Sequence, residues 1–300
     1  FNAGFGWFFS NWGAAFDDLN PSSYGSDYRG ERDGQVLITH PYDQAQYNDD
    51  FPEFIDADYV YEPYESLENF FEPGWTTNTS VAIESQLGAN SSVSATYSYL
   101  SDEGFTPNLD EQRGSGPSNF LNKHNFGLGA QTQLQNGLKI KGTFNYVDSD
   151  RRTPITAPAF GGGGNGIFAA LLFTPRSVDL MNLPYQSPID GSNVYYRRGS
   201  IIQNPRWVLN NAGDVEDVQR FFSTTEMSYE IAPWLNVLYR LGVDQYSQQS
   251  RRFQNRGGRD NADGIMNTYN IKSRITDQVL NFLYEFNLGD DFTLDGVVGT

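Results

Sequence analysis

Apolar and polar positions alternate along the chain from Asn125 to Asp150. Phe126, Leu128, Ala130, Thr132 and Leu134 hold one phase, with Gly127, Gly129, Gln131 and Gln133 in the other. After Gln135-Asn136-Gly137 the alternation resumes, with Leu138, Ile140, Gly142, Phe144 and Tyr146 set against Lys139, Lys141, Thr143 and Asn145. Two period-2 runs around an Asn-Gly predict a β-hairpin. Three more stretches repeat the pattern, around Gly88-Ala89-Asn90, Ala232-Pro233 and Gly289-Asp290-Asp291. A single strand opens the chain, with Phe1, Ala3, Phe5, Trp7 and Phe9 on one face. Strands are therefore expected near 1–10, 78–100, 123–147, 219–247 and 275–300, about nine in all. The class is all-β and antiparallel.

The connections are uneven. Turns inside the hairpins are tight, whereas those between hairpins cover residues 10–77, 101–123, 148–218 and 247–274. A compact domain ordinarily uses loops of about 4–6 residues. Tight turns at one end and long loops at the other are the layout of a transmembrane barrel, whose long loops are extracellular. About ten residues at ~3.3 Å each, tilted by ~40°, also match an apolar band of ~25 Å. The same hairpins could instead form a soluble sandwich, burying the greasy face against a second sheet. An odd strand number, beginning and ending inside strands, points to a segment of a larger barrel, because lipid leaves no backbone group unpaired.

Composition favours the barrel. Only 38% of the 300 residues are hydrophobic, yet 15% are aromatic, with 22 Phe and 18 Tyr. That balance suits strands with an apolar residue at every second position and aromatics at the two interfaces. No run of 18 apolar residues is present, so no transmembrane helix is expected. The formal charge of −17, without a basic stripe, argues against nucleic acid as a partner. Cysteine is absent, which removes disulfides and thiolate metal sites. The first residues do not read as a signal peptide, so one is expected to have been removed or the chain to be a piece of something longer.

Several stretches then carry a family resemblance. "FFEPGWTTNTSVAIESQLGANSSVSATYSYLSDEGFTPN" (70–108) resembles the first complete barrel hairpin of the SusC/RagA family of TonB-dependent outer-membrane transporters of Bacteroidota, with the glycine–proline–asparagine loop after it. "NKHNFGLGAQTQLQNGLKIKGTFNYVDSD" (122–150) resembles the next hairpin. "IFAALLFTPRSVDLMNLP" (167–184) and "NPRW" (204–207) resemble a helical insertion and a loop signature, and "NWGAAFDD" (11–18) a tryptophan–glycine element. Their order and spacing cover nearly the whole chain. The resemblance implies a twenty-two-stranded barrel, an N-terminal plug, a TonB box coupled to TonB–ExbB–ExbD, and a SusD-like surface lipoprotein that lids the barrel over a glycan or peptide. Residues 1–300 would be the first part of such a barrel. The plug, TonB box and second half of the barrel have no counterpart in these residues.

Candidate sites lie in the loops. Residues between Trp12 and Trp75 are dense in Asp, Glu and Tyr, a mixture that stacks on sugar rings, bonds hydroxyls or docks a partner. A solvated, folded cap is the plainer reading of the same residues. Trp12, Tyr28, Asp43 and Tyr47 are the substrate-binding candidates there, with Trp207 from the "NPRW" stretch. "GGGGNG" (161–166) fits G-x-G-x-x-G formally, but Thr153-Pro154 and Ala157-Pro158 replace the strand that dinucleotide binding needs. A short loop helix over Ile167–Phe173, with Leu171, Leu172 and Phe173 packing under the loops, is expected instead. In "RDNADGIMNTYN" (259–270), Arg259 and Asn270 stand where an EF-hand needs its first and twelfth ligands, so that motif fails. Asp260 and Asp263 leave another oxygen-rich calcium site open, beside an ordinary Asx-turn loop.

His40 and His124 are the only histidines and lie far apart, which argues against zinc and against a histidine-dependent nucleophile. No catalytic constellation is visible, and no cofactor beyond a structural calcium is expected. Lys139 and Lys141 share the polar phase and are placed on the lumen side, since a cation facing lipid at mid-depth costs ~2–4 kcal/mol. The expected function is import of an oligomeric nutrient across an outer membrane. The alternatives are a surface adhesin or scaffold with long acidic loops, and a passive porin.

Overall fold

The computed structural model describes residues 28–107, 119–155, 166–172, 174, 177–196, 203–259, 261–289 and 291–300. The expected first strand and Trp12 lie outside them, as do residues 161–165 and Asp260. Eight strands form one antiparallel meander in chain order: β4 (Trp75–Gly88), β5 (Ser91–Glu103), β6 (Phe120–Gln133), β7 (Lys139–Thr153), β8 (Ala212–Ala232), β9 (Leu235–Gln254), β10 (Ile265–Asn287) and β11 (Thr293–Gly299). Preceding them are a small antiparallel sheet, β1 (Tyr28–Arg32), β2 (Gln35–Thr39) and β3 (Asp58–Val60), and the helix α1 (Ser66–Phe70). Helices α2 (Ile167–Leu172) and α3 (Pro205–Asn211) interrupt the connection from β7 to β8. Among the described residues, no helix is long and apolar enough to cross a membrane.

Local chemistry sets the tight turns. Gly137 takes φ 88° after Asn136, whose side chain accepts from the Leu138 N–H at 3.1 Å. Gly289, at φ 82°, serves the β10–β11 turn, which the Leu288 N–H closes on the Phe292 carbonyl at 2.7 Å. Both glycines occupy the left-handed region that β-carbons disfavour. All four tight turns lie at one end of the sheet and the long connections at the other.

Register separates the two faces of the sheet. Val81, Tyr97, Phe126, Tyr146 and Phe221 form one continuous row across β4–β8. The next row on this face is Ile83, Ala95, Leu128 and Phe144. Toward the turn end, the same face carries Met227, Tyr239 and Leu280, then Tyr229, Val237 and Phe282. The other face carries Glu84, Ser94, Gly129 and Thr143, then Gln86, Ser92, Gln131, Lys141, Glu226 and Arg240.

Among the described residues, nothing covers the apolar face. Ile83, Leu128 and Phe144 expose 64%, 56% and 41% of their surface. Apart from Ala212 at the first position of β8, every buried apolar side chain among the described residues lies outside β4–β11. The core instead fills a cap built from the long connections. One cluster joins Tyr42, Tyr47 and Phe51 to Val194, Tyr195 and Tyr196. A second joins Phe70, Leu171 and Leu180 to Trp207, Val208 and Leu209. A soluble sandwich would bury the apolar sheet face and leave its loops open; this molecule does the reverse.

Strand length departs from expectation at the long-loop end. The connection expected over 247–274 is only residues 255–264, because β9 runs to Gln254 and β10 begins at Ile265. Here Gln248, Gln249, Ser250 and Arg251 are polar on both phases, so hydrophobic alternation gives no strand signal. The ladder nevertheless continues, with Ser247 opposite Lys272 and Arg252 opposite Asn267. The outer edges of β4 and β11 carry no partner strand among the described residues.

Candidate transport wall and cap

The polar face forms a shallow groove at the turn end of β4–β8, about 420 Å³ in volume. Gln86, Ser92, Gln131, Lys139, Lys141 and Glu226 are among the side chains that line it. Lys139 and Lys141 thus lie on the polar side, in the phase expected of them. Glycines in this wall make room for neighbours. A β-carbon on Gly127 would come within 2.4 Å of the Thr96 hydroxyl, and one on Gly129 within 2.6 Å of the Ser94 hydroxyl. Charges on β8 and β9 are mostly paired: Arg220 with Asp244 at 2.6 Å, Arg240 with Glu226 at 2.8 Å, and Arg151 of β7 with Glu216 at 3.2 Å. The wall therefore offers hydroxyls, amides and compensated charges, a surface for a hydrated or hydrogen-bonding occupant.

The cap sits at the other end and is fastened by polar contacts between distant segments. The Tyr47 hydroxyl donates to the Tyr195 carbonyl and accepts from its N–H, both at 3.0 Å. Arg259 adds a third bond to that hydroxyl at 2.8 Å. The Gln44 amide donates to the Tyr196 carbonyl at 2.7 Å, and the Ser187 hydroxyl to the Asp50 carboxylate at 2.8 Å.

Helix α3 starts for a legible reason. Asn204 is its N-cap, accepting from the Arg206 N–H at 3.0 Å, and Pro205 holds the first helical position. The "NPRW" stretch is thus a helix start. Arg206 donates to the Leu180 and Leu183 carbonyls and lies 4.5 Å from the centre of the Tyr185 ring. Burial lowers its pKa without threatening its charge.

The sequence-predicted site residues that the structure describes do not converge on one surface. Trp207 is fully enclosed, and its indole N–H donates to the Gly191 carbonyl at 3.0 Å. Tyr47 is buried in the first cluster. Neither ring offers a face to solvent. Asp43 is half-buried and accepts the Asp56 N–H at 3.2 Å, which fastens the stretch between them. Tyr28 opens β1, opposite Ile38. Asp263 is exposed in the connection from β9 to β10, and its expected companion Asp260 is not described. Among the described residues, no three His, Cys, Asp or Glu side chains gather to hold a metal.

Sequence reasoning weighed His40, Arg259 and the Asn204 stretch for other roles and did not single out Tyr195; all four organise the cap. Asn-Pro before an apolar run was the available signal for one of them. His40 is buried, stacked on Phe54 with ring centres 3.7 Å apart and edge-on to Tyr59 at 4.8 Å. Its Nδ1 accepts the Tyr42 N–H at 3.1 Å, so the ring is neutral. Burial pulls its pKa down from 6.5 to about 4. Tyr42 and Tyr59 beside it are pushed upward for the same reason.

No protein-family model and no curated protein matches the chain. The fold is similar to solved structures of the RagAB peptide importer. Against its closed-closed state the TM-score is 0.61 at 14% identity, over 96% of this chain and 29% of that one. Against its open-open state the TM-score is again 0.61 at 14% identity, over 79% of this chain and 25% of that one. The chain thus spans between a quarter and a third of the length of the importer chains it resembles. What it shares with them is the fold of a barrel segment.

Proposed function

We propose that this chain is part of an outer-membrane barrel of the SusC/RagA type, which imports an oligomeric nutrient, a glycan or a peptide. One observation carries the reading: among the described residues nothing covers the apolar face of the long strands, while the buried core lies in the loops. Lipid is the solvent that makes such an arrangement stable, since it covers the apolar face. Aromatic residues bracket that face as interfacial girdles would. Tyr97, Phe126, Tyr146 and Phe221 stand at one border. Trp234, Tyr284 and Phe286 cluster at the other, with 4.9 Å between the Trp234 and Phe286 ring centres. From Phe221 to Tyr229 the strand climbs ~27 Å, or ~20 Å of membrane depth at a tilt of ~40°.

Among the described residues the outer edges of β4 and β11 carry no partner strand, and lipid leaves no backbone group unpaired, so this reading has further strands complete the barrel. The polar wall then lines its lumen, and the cap lies on the outside surface. The likeness to the RagAB importer supports the same architecture. Within this reading, TonB–ExbB–ExbD supplies the energy, a SusD-like lipoprotein closes over the cap, and the chain performs transport rather than catalysis.

The test is the denatured mass of the native polypeptide, extracted from outer membranes with detergent. The reading expects a subunit several times heavier than 33.7 kDa, co-purifying with a surface lipoprotein. Deleting that lipoprotein should abolish growth on the transported oligomer. Release of the native polypeptide without detergent would contradict the barrel, and a detergent-extracted barrel without a lipoprotein would contradict the lid.

A further inference from the structure

The apolar face changes character toward the long-loop end of β9 and β10. Nearer the turns, Val237, Tyr239 and Leu241 stand opposite Phe282, Leu280 and Gln278. Val243 and Thr276 follow, and then two rows of another kind: Gln245 opposite Arg274, and Ser247 opposite Lys272. Arg274 and Lys272 therefore project from the same face, two residues and about 7 Å apart. Both are exposed, and neither makes an ion pair among the described residues.

The opposite face of these strands makes the contrast. There Arg220, Arg240 and Arg252 pair with Asp244, Glu226 and Asp214. In a chain of net charge −17, these two adjacent cations have no acidic neighbour among the described residues of their rows. The Lys272 row reaches an acid only at Asp148, three strands away, and Asp217 lies two strands away on the row above. Gln245 and Ser247 add neutral donors to the patch.

We propose that Arg274 and Lys272 hold the phosphorylated headgroup of an outer-leaflet lipid, whose acyl chains lie on the Leu241, Leu280 and Phe282 surface beneath. This rests on the outer-membrane reading above. An arginine fork and an ammonium suit phosphate oxygens, and the site sits where an anionic headgroup would meet the barrel. A cation on the lipid-facing side is costly at mid-depth and cheap near the interface, which is where these two stand. Below them the apolar surface, Val243 and Leu241 on β9 and, past Thr276 and Gln278, Leu280 and Phe282 on β10, selects a lipid over a free anion.

The test uses the full native chain, purified in detergent, stripped of lipid and examined by native mass spectrometry. The probes are bis-phosphorylated lipid A, the same lipid dephosphorylated, and inorganic phosphate. The phosphorylated lipid should bind at least ~10-fold more tightly than the dephosphorylated one. The double variant Lys272→Gln, Arg274→Gln should lose that preference while still migrating as a folded barrel in an unheated gel. The double variant Lys139→Gln, Lys141→Gln, on the opposite face, should keep it.

Equal binding of the two lipids, an unchanged preference without Lys272 and Arg274, or its loss in the control variant would overturn the proposal. So would displacement of the lipid by millimolar inorganic phosphate, which would mark a free-anion site. Membrane fractionation separates the two layers of the account. A chain absent from the outer membrane sinks the transport reading, whereas one present there without phosphate preference sinks only this inference.

Discussion

Trp207 and Tyr47 show how far a residue's role depends on partners remote in sequence. Both are aromatics in loops, and residue type suggested sugar-stacking surfaces. Their burial depends on contacts that no local pattern encodes: Tyr47 meets Tyr195 across 148 positions and Arg259 across 212. Replacing Trp207 with Ala should cost the cap ~3–5 kcal/mol, the usual loss for a large buried aromatic. Hydrogen exchange should show this as faster exchange of the α3 amides, with the β4–β7 ladder unchanged. Tyr47→Phe removes the hydroxyl that bonds the Tyr195 N–H and carbonyl and the Arg259 guanidinium. A loss of ~1–3 kcal/mol is expected, read as earlier proteolysis of the cap.

His40 adds a pH dependence with a definite sign. Its folded pKa of about 4 lies below the unfolded 6.5, so the unfolded state takes up the proton first. The neutral ring's contribution is intact above pH 6.5 and is lost progressively as pH falls toward 4. Thermal unfolding of the cap, followed from pH 7 to pH 4, should show falling stability across that window. His40→Phe should flatten this part of the profile; an unchanged profile would remove His40 as the cause.

At the scale of elements, hairpins were legible wherever one face had to be apolar. Alternation runs from Phe126 to Leu134 and from Leu138 to Tyr146, on either side of the Gln135-Asn136-Gly137 turn between β6 and β7. The signal vanished beyond the apolar band, where Gln248, Gln249 and Ser250 satisfy a ladder polar on both sides. Alternation reports the solvent of each face rather than the strand itself. Short helix α3 was legible in principle from Asn204-Pro205, whereas α2 was anticipated from its apolar run. The two faces of β6 and β7 also make a mutational prediction. Ala130→Arg, midway between the two aromatic borders, should destabilise the folded protein in lipid by ~2–4 kcal/mol. Thr143→Arg, on the polar wall in the same row as Glu84 three strands away, should change it by less than ~0.5 kcal/mol. Denaturant refolding into vesicles measures both, and equal losses would show that the faces are misassigned.

For the whole molecule, the division of labour between sheet and cap is the main feature. The sheet holds itself together by backbone ladders and leaves one face to its surroundings; the cap holds itself together by side-chain packing, as a small globular domain does. Sequence alone exposed the first half through periodicity, and the long acidic loops suggested a folded cap without revealing its core. The central claim is that the apolar face meets lipid and the polar face meets water. The chain has no cysteine, so single spin labels can be placed at Phe144→Cys and Thr143→Cys in the full protein, reconstituted in vesicles. Collision with oxygen, which concentrates in lipid, is compared with collision with a water-soluble nickel chelate. The account predicts that the label at 144 meets oxygen and is shielded from nickel, while that at 143 shows the reverse. Nickel reaching both labels equally would contradict it and return the hairpins to a soluble sandwich.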